Sequence, residues 1–169
     1  DITVSQKNYI NSYFNQMEIA VFNSSSTNSD FTKYLDLDSF LRHFIVGELS
    51  GNTDTYWSVY MSKERSDDKF MTGPVWDFDL AFDNDKRTYP VSQFSDFLYA
   101  TSSSSMAGGN MRSFVSHIVK DSDVARKRLA EIWNEQRNAG TISVESLIEY
   151  VDQTAAMLEQ SQRLNFLRW

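Results

Sequence analysis

At 169 residues and 19.5 kDa, with 41% hydrophobic and 14% aromatic residues, the chain can bury the core of one domain or a large part of one. A net charge of −7 argues against counterion-release binding to nucleic acid by the chain as a whole, and the lack of cysteine excludes disulfides, thiol catalysis and thiolate metal sites. No apolar run approaches bilayer length and no signal peptide is expected within this fragment; the start at Asp1 and the close on Trp169 without a helix-stop signal read as cut ends.

Tyr9, Ile10, Tyr13, Phe14, Met17, Ala20 and Val21 recur at spacings of three and four, which predicts an amphipathic helix over 5–22 with its aromatic face in the core. The serine-rich run 23–28 reads as an exposed loop. Asp38, with Asp36 as the alternative, reads as the N-cap of a second helix carrying Phe40, Leu41, Phe44, Ile45 and Leu49 and ending at Gly51-Asn52. Glu48 falls on or beside the apolar face of that helix, where an ionised carboxylate needs a partner. It has two readings: it reaches a site near Asp54, or it forms a structural salt bridge to an arginine elsewhere, such as Arg112.

Residues 58–63 and 69–75, joined by the charged turn 64–68, predict a β-hairpin. Asp54 enters its first strand and Asp77 leaves its second, so antiparallel pairing brings the two acids to one end. Gly73-Pro74-Val75-Trp76-Asp77-Phe78-Asp79-Leu80-Ala81-Phe82 sets two carboxylates in an apolar run. In extended backbone Asp77 and Asp79 point the same way, and a cation would offset their repulsion. Magnesium-phosphate sites use one or two such carboxylates, although loop aspartates also cap turns.

The acidic stretch 83–87 fails the calcium-loop pattern and reads as solvated, with Asp83 placed to extend a metal site outward. Residues 101–109, rich in serine and ending in a glycine pair, form a loop that either closes over a ligand or merely connects. Helices follow over 111–119, 123–138 and 143–166, and the break at Gly140 predicts antiparallel packing of the last two. Arg112 and the Arg126-Lys127-Arg128 cluster read as solvated. His43 and His117 lack zinc-hydrolase spacing, and no G-x-S-x-G elbow occurs. Asp54 and Asp77 could serve a glycosidase as acid and base, but nothing specifies a sugar cleft. The expected class is α+β, predominantly helical, with helices packed around a short hairpin.

The segment Glu48-Leu49-Ser50-Gly51-Asn52-Thr53-Asp54, the aromatic strand after it and then the W-D-F-D run resemble the CotH family of atypical protein kinases, most distinctly from Tyr34 to Phe82. The resemblance implies a kinase C-lobe-like fragment in which Asp54 acts in the catalytic loop and Asp77, with Asp79 beside it, binds the Mg2+ that holds ATP. It places Glu48, Asn52 and Ser58 in the nucleotide-binding group. The implied reaction is Mg2+-dependent transfer of the ATP γ-phosphate to a protein hydroxyl in the intact parent. Ser58 stands where kinases usually carry an asparagine for a second metal, and a hydroxyl is a weaker ligand. No glycine-rich phosphate loop occurs, and Lys7 and Lys33, the only lysines before Asp54, sit in polar settings. Residues 1–169 are therefore expected to be a single domain, the carboxy-terminal part of a CotH-like kinase domain. Its partners would be ATP, a protein substrate and an amino-terminal lobe of the same polypeptide; the isolated chain would turn over slowly or not at all. The family points to a bacterial envelope or secreted setting. The alternative is a non-catalytic extracytoplasmic interaction module on the same scaffold.

Overall fold

Helix α1 spans Val4–Phe22 because Thr3 and Gln6 close a capping box at its start. The Thr3 hydroxyl accepts from the Gln6 N–H at 3.2 Å, and the Gln6 side-chain oxygen accepts from the Thr3 N–H at 2.8 Å. The computed structural model describes residues 2–52, 54–56, 59–82, 84, 97–101 and 109–168, with backbone alone at 101, 109 and 110. Of the expected core face of α1 only Met17 and Val21 are buried, while Tyr9 stays 51% exposed. The aromatic first half serves the hairpin instead. Tyr13 donates to the Asp68 carbonyl at 2.7 Å, its ring lies 5.3 Å from Tyr34 and 6.0 Å from Phe70, and the Lys63 ammonium stands 4.9 Å from its centroid.

The loop after α1 leads through a 3-10 turn, Asp30–Lys33, which buries Phe31, into α2, Leu37–Ser50. Asp36 is the cap of α2, accepting from the Ser39 N–H at 2.8 Å. Asp38 instead receives two bonds from the Arg128 guanidinium, at 2.8 and 2.7 Å. Arg128 is thus half-buried and structural, which corrects the solvated reading of that position.

Strands β1, Met61–Ser62, and β2, Met71–Thr72, pair antiparallel with Met61 opposite Thr72 and Ser62 opposite Met71. The Gly73 N–H donates to the Tyr60 carbonyl at 2.9 Å and carries the pairing one step further. The hairpin is shorter than expected because the second strand turns to other partners. Phe70 exchanges bonds with the chain before α2: its N–H donates to the Tyr34 carbonyl at 2.7 Å and its carbonyl accepts from the Asp36 N–H at 2.8 Å. The Thr72 N–H donates to the Ser39 hydroxyl at 3.0 Å. The segment before α2, bridged parallel to Phe70 at Leu35, and the Ser39 hydroxyl therefore take the place of a third strand at this edge.

After the short α3, Leu98–Thr101, come α4, Gly109–Ser116, and a π-helical turn, His117–Asp121. Buried Ser122 then accepts from the Ala125 N–H at 3.2 Å and meets the Ser29 hydroxyl at 2.8 Å. It starts α5, Asp123–Asn138, over the expected span. Gly140, at φ 74°, allows the break before α6, Val144–Arg168.

The chain divides into two compact units, 1–130 and 131–169. In the first, Met17, Val21, Phe31, Leu35, Leu41, Val115, Ile118 and Ala125 are fully buried. In the second, α6 buries no residue, so the expected packing of its apolar face in a helical pair is not observed. Among the described residues the class is the expected one, predominantly helical α+β with one small hairpin, and no helix is long and apolar enough to cross a membrane. The loop expected at 83–87 lies outside the described residues apart from Asn84, as does most of the loop at 101–109.

Candidate functional site

Helix α2 ends at Gly51, whose φ of 62° is open to glycine at little cost, and its N–H bonds back to the Glu48 and Gly47 carbonyls. Asn52 follows, 2% exposed, with its N–H on the Gly47 carbonyl at 3.1 Å. Its side-chain oxygen accepts from the Asp54 N–H at 3.2 Å and its carbonyl from the Thr55 N–H at 3.1 Å. This Asx turn sets the direction in which half-buried Asp54 leaves the helix end. The turn presses on α2 so closely that a Cβ on Gly47 would come within 2.3 Å of the Thr55 side chain. His43, one helical turn before Gly47, lies beside the Thr55 backbone. Neither of its ring nitrogens makes a well-formed hydrogen bond among the described residues, and burial lowers its pKa from the usual 6.5 against a smaller opposing effect of the Thr55 backbone.

Glu48 projects from α2 one turn after Phe44. Phe44 packs on Phe97 and Tyr99, with centroids 5.9 Å away in each case. The Glu48 carboxylate accepts from the Tyr56 hydroxyl, from the Leu98 N–H at 2.6 Å and from the Tyr99 N–H at 3.2 Å. Burial raises its pKa and these three bonds oppose the rise. Tyr56, itself buried, is pushed well above the ordinary phenol value, first by burial and then by the charge of Glu48. Arg112, the arginine the sequence offered as a partner for Glu48, donates instead to the carbonyls of Tyr99 and Ala100, at 2.7 and 2.8 Å.

The second acidic segment arrives from β2. Asp77 sits at φ 57°, in the left-handed region, and Asp79 opens a turn, so this stretch is not the extended ribbon that alternation assumed. The left-handed turn still leaves the Asp77 and Asp79 side chains close enough to interact. Asp77 is raised from the usual carboxylate value, chiefly by the charge of Asp79, then by their direct bond, by slight desolvation and by the charge of Asp54. Beyond the pair, the Asn84 amide donates to the Asp79 carbonyl at 2.7 Å, and the Phe82 N–H donates to the Ser50 carbonyl at 2.7 Å. That last bond fastens the segment after Asp79 to the C-terminal turn of α2, and the hairpin returns Asp77 to the end from which Asp54 departs.

Asp77 feels the charge of Asp79 most and that of Asp54 least. Asp77 and Asp79 form the close pair, and Asp54 stands within electrostatic range of it. Among the described residues no group of three or more His, Cys, Asp or Glu side chains is spaced to hold a metal, so the expectation of three acids on one ion narrows to a pair with Asp54 apart. Two mutually repelling, exposed carboxylates fit a hard cation that takes its remaining ligands from phosphate and water. Glu48 and Asn52 bond to the polypeptide, and Ser58 lies outside the described residues. Sequence reasoning missed Tyr56 and the Phe82–Ser50 bond. Tyr56 lies past the helix end, where no periodicity marks a partner for Glu48, and a backbone bond leaves no residue-type signal.

No curated protein and no solved structure matches the chain. A family model described as CotH kinase protein matches residues 1–169, the whole chain. The chain therefore belongs to the CotH kinase family.

Proposed function

We propose that the chain carries the phosphoryl-transfer site of a CotH-type protein kinase, with ATP as donor and a protein hydroxyl as acceptor. The observation that supports this most is the pairing of Asp77 with Asp79 beside Asp54, on two loops tied together by the Phe82–Ser50 bond. Asp77 and Asp79 would hold a magnesium ion, which when bound offsets the charge on the donor phosphates. Asp54 takes the proton of the acceptor hydroxyl as its oxygen attacks the γ-phosphorus, and the bond from that phosphorus to the ADP oxygen breaks. Asn52 keeps Asp54 in place through the Asx turn rather than touching nucleotide. Ser58 remains assigned to the nucleotide side by family pattern alone. We assign residues 1–169 to the carboxy-terminal part of the kinase domain, with further phosphate-gripping groups supplied by another part of the same polypeptide.

The test is transfer of γ-labelled phosphate by the intact parent in Mg2+. Asp54→Asn should lower kcat by roughly 10²–10⁴-fold with ATP binding kept, and Asp77→Ala should abolish Mg2+-dependent ATP binding. Unchanged ATP binding in Asp77→Ala would favour the alternative of an interaction module that keeps the scaffold without the chemistry.

A further inference from the structure

We infer that Glu48 and Tyr56 act together as a positioning clasp that fixes Asp54 for the reaction and links it to α3; this rests on the phosphotransfer reading above. Glu48 and Tyr56 are eight residues apart, and the bond between their side chains closes a ring of polypeptide. The ring runs from Glu48 through the left-handed Gly51 and the buried Asn52 to Asp54, and back through Tyr56. Asp54 lies within that ring and is held from both sides. On one side its N–H bonds to Asn52, and on the other Tyr56 is tied down two residues later.

The second carboxylate oxygen of Glu48 accepts from the Leu98 N–H, and the first also accepts from the Tyr99 N–H. The same carboxylate thus anchors the start of α3, whose far end is held by Arg112. Phe44 supports the clasp one turn earlier on α2 by packing on Phe97 and Tyr99. A partly buried acid spending its acceptor capacity on a phenol and two backbone amides is a structural commitment. It leaves little with which to ligate a nucleotide or its metal. Tyr56 is buried, and its hydroxyl points at Glu48. The clasp therefore acts on kcat through the placement of Asp54, and hardly on the affinity for ATP.

Two measurements test this. In the first, hydrogen exchange is followed at the amides of residues 54–56 and 98–99 in the chain itself, for the wild type, Glu48→Gln, Tyr56→Phe and the double variant. Faster exchange at both places in Glu48→Gln, and at 54–56 in Tyr56→Phe, is expected. Unchanged protection in Glu48→Gln would overturn the clasp whether or not the protein is a kinase. In the second, phosphate transfer by the intact parent is resolved into kcat and KM for ATP. Each single variant should lose about tenfold or more in kcat with KM for ATP within about twofold. The double variant should lose no more than the worse single one, because both break the same bond. A rise in KM for ATP at constant kcat in Glu48→Gln would make that residue a nucleotide ligand instead. A wild-type parent without transfer would sink the kinase reading and leave the exchange result to decide the clasp.

Discussion

Asp77 and Asp79 repel each other at an exposed turn, and a protein gains nothing in stability from that arrangement unless something offsets it. The same economy of charge explains two other residues. Arg128 holds the Asp38 carboxyl below its usual 3.8, principally by direct hydrogen bonding. The stability this pair contributes is complete above about pH 4 and is lost as pH falls through the lowered folded value. Asp38→Asn should cost about 0.5–1 kcal/mol at neutral pH, since the pair is only partly buried, and progressively less in acid, for example at about pH 2. Urea midpoints at the two pH values check this. His43 works in the opposite range. Its folded pKa lies below 6.5, so the unfolded chain takes up the proton first, and stability falls as pH drops through the region just below 6.5. His43→Leu should lose less stability than the wild type between about pH 7.5 and about pH 5.5 by the same urea measurement.

Among the elements, the end of α2 carries most of the site, and a single glycine permits it. Gly47→Ala would drive a methyl into Thr55, and the fold should lose about 1–3 kcal/mol, with the Asp54 turn displaced. Thermal unfolding, together with amide chemical shifts at 54–56, reports both effects. Ser122→Ala removes the cap of α5 and its bond to Ser29, for a loss of about 1–2 kcal/mol measurable by urea titration. Much of this level was legible in the sequence. The long helices α1, α2, α5 and α6 announce themselves by periodicity, whereas the short α3 and the π-helical turn do not, and α5 falls on its expected residues with Gly140 marking the break after it. The hairpin was legible from its two apolar runs and charged turn. The left-handed Asp77 was not, since an aspartate in W-D-F-D reads equally well as strand or turn. Nor was the choice of Asp36 over Asp38 as cap, which Arg128 decides from ninety residues away.

Over the whole chain, burial is uneven. Unit 1–130 holds most of the fully buried side chains, whereas α6 keeps every residue at least partly exposed. Amides of α6 should therefore exchange orders of magnitude faster than those in the middle of α2, a contrast that native-state hydrogen exchange reads directly. Periodicity foretold the length of α6 but not its exposure, because an apolar stripe states a need for a partner without supplying one. The site, by contrast, lies in the well-buried unit, where α2, the hairpin and the Phe82–Ser50 bond hold its two loops in register. The account stands or falls on whether the paired carboxylates there take a divalent ion while Asp54 stands apart from it. Titration of Mn2+ into the chain, followed by water-proton relaxation, tests that most directly. Binding that is lost in Asp77→Ala and Asp79→Ala but kept in Asp54→Asn is the predicted result; no binding by the wild type, or equal binding by Asp77→Ala, would contradict it.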